Sequence, residues 1–274
     1  MPDPDSTHLD VETLGLGVRR IRYESAWEYQ REIHSQVADG QLSGRVLLLE
    51  HEAVYTAGRQ TKPEERPFDG TPVVDVDRGG KITWHGPGQL VGYPIVRLPS
   101  RVGVVDHVRR MEQAVIGLLS ELGIEAGRVE GRTGVWLPAI SAKPVTASAS
   151  EIWDSDPASR ALGTALPPVT VPNSLANVIA TPARRERKIC AIGIRVARRT
   201  TMHGFAINVS NSNAAFENIV PCGIRDAEVT SIARELGESL PLAELAAMLT
   251  PHLRWCLDYS RPTSEIVIIG RVTT

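Results

Sequence analysis

Five short apolar or alternating segments follow one another between residues 45 and 98, and their spacing narrows the fold. They are RVLLLE (45–50), AVYTAG (53–58), TPVVDVD (71–77), KITWH (81–85) and QLVGYPIVRL (89–98). Most of the breaks between them are rich in Gly, Pro and Asp and too short for a helical crossover, so they predict neighbouring strands joined by hairpins. Helical periodicity flanks this block. Ala26, Tyr29, Ile33 and Val37 predict a helix over about 24–39, stopped by Gly40. Val108, Met111, Val115, Leu118, Leu119 and Leu122 predict a second over 106–122, capped by Asp106 and ended by Gly123. IEAGRVEG and TGVWLP read as short strands, and 188–198 with 200–210 as an antiparallel pair. Helices are expected at about 228–237 and 241–258, with Pro251 a kink, and a last strand in EIVIIGRV (265–272). Without regular βαβ alternation, the pattern is α+β in a single domain over 11–274.

Two stretches stand apart. Residues 1–10 read as a disordered tail. Residues 138–186 contain 27 Ala, Ser, Thr or Pro among 49, without periodicity, and read as a loop-like insertion or a small subdomain. The 274 residues carry 30 Lys plus Arg against 32 Asp plus Glu, which argues against binding nucleic acid or anionic lipid through net charge. The acidic N-terminus does not resemble a secretory signal, and no segment is long and apolar enough to span a bilayer, so a cytoplasmic protein is expected. Cys190, Cys222 and Cys256 lie far apart, so a disulfide framework is not expected.

The densest chemical feature is RGGKITWHGPGQLVGYP (78–94), with Gly79, Gly80, Gly86, Gly88 and Gly92. Glycines let backbone amides approach a ligand, although a tight hairpin would use them equally. No Walker-type or dinucleotide-binding spacing is present. Cys222, between Pro221 and Gly223, is either an exposed turn thiol or a buried structural one. Lys188 opens an otherwise apolar strand and faces either a site or solvent. An ammonium beside a thiol favours the thiolate. Strand alternation puts Cys190 on the face of Lys188, where it reads as packing. His51, His85 and His203 lack metal-ligand spacing.

These pieces in this order resemble the lipoyl(octanoyl) transferases: LLLEHEAVYTAGR, RGGKITWHGPGQLVGYP, GRTGVW, KICAIGIR, HGFAINV, then PCGI followed by VTS. The resemblance covers about 12–137 and 187–250. It implies the fold shared with biotin and lipoate protein ligases, a mixed main sheet and a smaller sheet with flanking helices. It also implies octanoyl transfer from acyl carrier protein to a lysine of a lipoyl domain, in 2-oxoacid dehydrogenases or the glycine cleavage H protein. By that resemblance Cys222 is the nucleophile and Lys188 sets its ionisation. The acyl site is lined by Arg78, Gly79, Gly80, Lys81, Ile82, Thr83, Trp84, His85, Ala191, Ile192, Gly193, Gly204, Phe205 and Ala206. No metal, nucleotide or other cofactor is implied, and an acidic carrier protein implies an Arg-rich patch by the entrance.

Three departures stand out. Trp136 and Lys188 are 52 positions apart where the family has a short connection, Glu52 replaces a usual proline, and Cys190 a usual small residue. The competing readings are an ATP-dependent lipoate ligase of the same fold, which would not need Cys222, and a non-catalytic carrier-protein or lipoyl-domain binding module. A thioesterase would result if water outcompeted the amine.

Overall fold

The computed structural model describes residues 9–67, 70–140, 185–219 and 228–266. Its main sheet has eight strands: β1 (Asp10–Leu14), β2 (Arg45–Leu49), β6 (Gln89–Ile95), β7 (Gly127–Val129), β8 (Arg132–Leu137), β9 (Arg187–Ala197), β10 (Thr200–Asn208) and β11 (Glu228–Val229). Seven run in the order β1-β2-β6-β10-β9-β8-β7, and β11 pairs with β9. The β1–β2 and β9–β11 pairs are parallel and the rest antiparallel, so the sheet is mixed. A second sheet holds β4 (Val73–Asp75), β3 (Val54–Ala57) and β5 (Thr83–His85) in that order. The α+β expectation holds.

Helices cover both faces of the main sheet. The helix α1 (Tyr23–Ala38) packs Ala26, Ile33 and Val37 against Leu47, Leu49, Val91, Tyr93, Ile95 and Ala206. On the other face α2 (Val104–Glu121) lies against a later helix (Leu242–Cys256), burying Met111, Val115, Leu118, Leu245, Leu249 and Leu253 with Val46, Leu48 and Leu90. Alternate residues of β2 thus belong to opposite cores, which is why RVLLL is continuously apolar. Among the described residues no helix is long and apolar enough to cross a membrane.

Several boundaries differ from the sequence reading. Leu9 is buried in the core and Asp10 begins β1, so the tail reading fails at its last two residues; residues 1–8 lie outside the described residues. The N-cap of α2 is Gly103, and Asp106 instead accepts a hydrogen bond from the Gly103 N–H at 3.2 Å. The helix expected over 228–237 is shorter. Glu228 and Val229 pair with Arg187 and Lys188, and helix begins only after Ser231, whose hydroxyl accepts from the Arg234 N–H. In chain order, the remaining helices are α3 (Ala214–Glu217), α4 (Ile232–Leu236), α5 (Leu242–Cys256) and α6 (Thr263–Ile266). The turn α6 contradicts the start of the strand expected over 265–272; the rest of that segment lies outside the described residues. The chain divides into two units, Met1–Pro138 with Glu186–Thr274, and Ala139–Arg185. The insertion expected over 138–186 falls almost wholly in the second, nearly all of it outside the described residues.

Candidate active site

A cleft of about 500 Å³ opens between the 78–83 loop and strands β9 and β10. That volume suits a small ligand or an acyl chain. The loop is shaped from within by Arg78. Its guanidinium donates to the Gly79 and Lys81 carbonyls at 3.0 and 2.9 Å, and to the carbonyl and hydroxyl of Thr56 at 2.8 and 2.9 Å. The fork therefore binds the loop to β3. A second tie, from the Gly79 N–H to the Ile194 carbonyl at 3.1 Å, holds the loop against β9. Gly193 lies opposite: a Cβ there would stand 3.0 Å from Arg78 Cδ, so its lack of a side chain lets strand and loop meet. Lys81 is paired with Glu65.

The structure brings most of the expected acyl-site residues to one cleft: Arg78 to Thr83, His85, Ala191 to Gly193, Gly204 to Ala206, and Lys188. Trp84 is the exception. Alternation along β5 turns it away from Thr83 and His85, and its ring meets Phe216 edge-on at 5.8 Å in a separate apolar cluster. Cys222 lies outside the described residues. Cys190 does not share the side of Lys188. The β8–β9 register shifts between Val135 and Trp136, so Cys190 falls in the main core, fully buried, while Lys188 lines the cleft. Burial pushes the Cys190 thiol far up and that of Cys256 to about 12, so neither is a ready thiolate.

Sequence reasoning missed the polar floor. Tyr23, Tyr93 and His203 line the cleft beside His85, and His51 lies directly behind. His51 Nδ1 donates to the Ile21 carbonyl at 2.8 Å, and its Nε2 accepts from the Tyr93 hydroxyl at 2.7 Å. His203 Nε2 donates to Asp77 at 2.9 Å, and its Nδ1 faces the Tyr23 hydroxyl at 3.4 Å. These partners occupy the nitrogens that a three-histidine metal site would need. His203 also takes a φ of 62° within β10, a conformation rare for a residue with a side chain.

The tautomer of His85 follows from its neighbours. The Gln89 amide nitrogen donates to Asn208 Oδ1 at 2.9 Å and faces the Trp84 carbonyl at 3.4 Å, which can only accept. Gln89 Oε1 is therefore the acceptor for His85 Nδ1–H at 2.8 Å, and the Nε2 lone pair is left for the cleft.

Burial holds these rings neutral. It lowers His85 to about 3, and His51 and His203 to about 4 despite Asp77 beside the latter; His107 on α2, buried against Tyr259, is likewise lowered to about 3. An unfolded histidine takes up a proton below about 6.5, whereas these do not until pH is lower still. Protons thus bind the unfolded chain preferentially, and stability is lost as pH falls from about 6.5 toward 4. Thermal melts across that range should show a steadily falling Tm; a flat profile would refute the neutral assignments.

The family described as the lipoyl protein ligase A/B catalytic domain matches residues 22–254. The chain is 50% identical over 263 residues to the octanoyltransferase of Streptomyces coelicolor, covering 95% of this chain and 98% of that one. It is 49% identical over 245 residues to the octanoyltransferase of Clavibacter sepedonicus, covering 89% of each. Among solved structures it is similar to a bipartite lipoate protein ligase of Thermoplasma acidophilum, with TM-score 0.55, 12% identity and coverage of 97% and 100%. It is also similar to a lipoate-protein ligase A bound with ATP, with TM-score 0.57, 14% identity and coverage of 92% and 85%. At such identities the structures speak for the fold.

Proposed function

Because this chain belongs to the lipoyl protein ligase A/B catalytic-domain family and matches octanoyltransferases over nearly its whole length, we propose that it transfers an octanoyl group from acyl carrier protein to a lipoyl-domain lysine through a thioester on Cys222. The acyltransferase class is the part its relatives carry directly. The carrier-protein donor, the acceptors among 2-oxoacid dehydrogenases and glycine cleavage H protein, the thioester and a cytoplasmic setting are the proposal.

One observation carries the mechanism: Lys188 lines the cleft, and Val229, seven residues after Cys222, is held in register with it. A lysine and a cysteine acting together can run both halves of a thioester exchange. The Cys222 thiolate attacks the donor carbonyl. The carbon–sulfur bond to the carrier breaks, and the departing thiolate takes a proton from the Lys188 ammonium. Lys188 is then neutral. The acceptor amine, arriving unprotonated, attacks the new thioester and gives a proton to Lys188 as the amide forms. Cys222 leaves as thiolate, and the starting pair is restored. The first exchange is nearly isoenergetic and the second downhill, so the cycle closes without ATP.

His85 Nε2, neutral and facing the cleft, suits an acceptor for an N–H of the incoming amine. Backbone N–H groups beside Gly79–Gly80, apart from the Gly79 N–H already donated to Ile194, or of Ala191–Gly193 suit the oxyanion. The test is intact mass after mixing with octanoyl carrier protein, with and without hydroxylamine. A hydroxylamine-labile gain of one octanoyl group in the wild type, absent from Cys222→Ala, is expected. No adduct in the wild type would favour an ATP-dependent ligase or a binding module.

A further inference from the structure

Lys188 does not stand alone at the cleft wall. Its ammonium lies over the indole of Trp136, 4.5 Å from the ring centroid, and the two residues are register partners across β8 and β9. Trp136 is 1% exposed, so the ring is fixed by the core and presents one face to the cation. A desolvated indole face attracts an ammonium more strongly than any other aromatic side chain.

The strand beneath the ring is itself held. Gly134 takes a φ of 113°, and a Cβ there would overlap the Cys190 carbonyl oxygen and stand 3.7 Å from Lys188 Cε. Its N–H donates to Glu112 Oε1 at 3.1 Å. The register shift falls between Val135 and Trp136. That shift is what brings Lys188 to the cleft while Cys190 turns into the core.

We infer that Trp136 is the positioning residue for Lys188: its indole face holds the ammonium in place toward the thiol that Lys188 serves. The inference rests on the Cys222–Lys188 reading above. Among the described residues, the other charged groups around Lys188 are Arg132 on β8, paired with Glu186 and 5.6 Å from the same ring; Glu112 on α2; Arg187 on β9, paired with Glu235; and Arg78 and Lys81 on the loop. The cations among them are tied to carboxylates or backbone carbonyls, and the Lys188 ammonium rests against the Trp136 ring.

The experiment reads the pH dependence of Cys222 alkylation by iodoacetamide, which the other two cysteines, both buried, do not obscure. An opposite charge within reach lowers a thiol pKa by about one to three units. Lys188→Ala should therefore raise the midpoint by at least about one unit. Trp136→Leu should raise it by a large part of the same amount, and Trp136→Phe, which keeps a weaker ring, by less. In the Lys188→Ala background, Trp136→Leu should add nothing. Thermal melts identify any variant that fails to fold, and Trp136→Phe keeps the test alive if the leucine variant does. A Trp136 shift that persists without Lys188, or folded Trp136 variants with the wild-type midpoint, would overturn this inference alone. An unshifted Lys188→Ala would overturn the Cys222–Lys188 reading and this inference with it.

Discussion

Octanoyl transfer by Lys188→Ala is expected to be slower by about 10²- to 10⁴-fold, the usual worth of a positioned acid–base group. In the proposed cycle the residue acts in both half-reactions. In the first it keeps Cys222 ionised and gives a proton to the departing carrier thiol; in the second it takes a proton from the acceptor amine. Lys188→Arg separates these duties. A guanidinium remains charged at any working pH, so it can sustain the thiolate but cannot serve as a base. The arginine variant should still acquire the octanoyl group, and stall when the lipoyl domain is added. Cys222→Ala should lose both steps. Rapid-quench measurement of acylation and deacylation separates the cases. An arginine variant that turns over as fast as the wild type would remove Lys188 from proton transfer.

The stall has a chemical reason. The carrier thiol has an ordinary thiol pKa and can leave as an anion, protonated later by water. The acceptor amine must shed a proton as the amide forms, and among the described residues lining the cleft no other group is suited to receive it. His85 presents a lone pair there, but burial keeps that imidazole a very weak base. It can orient an N–H without removing the proton.

The strand cluster and the α+β class were legible because apolar runs and glycine or proline breaks act locally. What escaped depended on contacts distant in sequence. DVETL (10–14) carries little apolar signal, and becomes strand because its backbone pairs with β2 at one end of the sheet order. Thr230–Ser231 looked like helix interior, yet the Thr230 N–H bonds the Lys188 carbonyl and Ser231 is the cap. At the site, the loop motif and Lys188 could be named from motif order. The misplacement of Trp84 was avoidable, since alternation along β5 separates it from Thr83 and His85. Cys190 was not avoidable in that way, because one register shift reverses the parity of a strand. His85 was named with the loop motif, but nothing in the sequence joined it to His51 and His203 as one floor. Its members come from three separate segments, with neither HxH nor HxxxH spacing to join them.

Glu112 was hidden by the helix that carries it. It sits in the polar run RRMEQ (109–113) of α2, where a carboxylate looks solvent-facing, yet its side chain is fully buried. There it accepts from Arg109 at 2.7 Å, from Arg128 at 2.9 Å and from the Gly134 N–H at 3.1 Å. Replacing it by leucine would leave the largely buried Arg128 guanidinium without its carboxylate, held only by the Arg109 carbonyl and Gln113, and would leave an inner backbone donor unpaired. Removing one partner from such a buried network costs about 3–5 kcal/mol. For a domain this large that lowers Tm by roughly 10 °C. Glu112→Gln keeps an oxygen for Gly134 and should lose much less. Urea melts should move the midpoint of the leucine variant without changing the slope. A leucine variant as stable as the wild type would mean that the carboxylate does not hold β8. Loss of that hold has a further consequence, because Trp136 lies two residues beyond Gly134 and faces Lys188. A Glu112→Leu protein kept folded at low temperature should therefore also alkylate Cys222 with a raised midpoint, as Trp136→Leu does, whereas Glu112→Gln should not. A fall in stability with no change at the thiol would confine Glu112 to the core and leave the ring and the ammonium to hold each other.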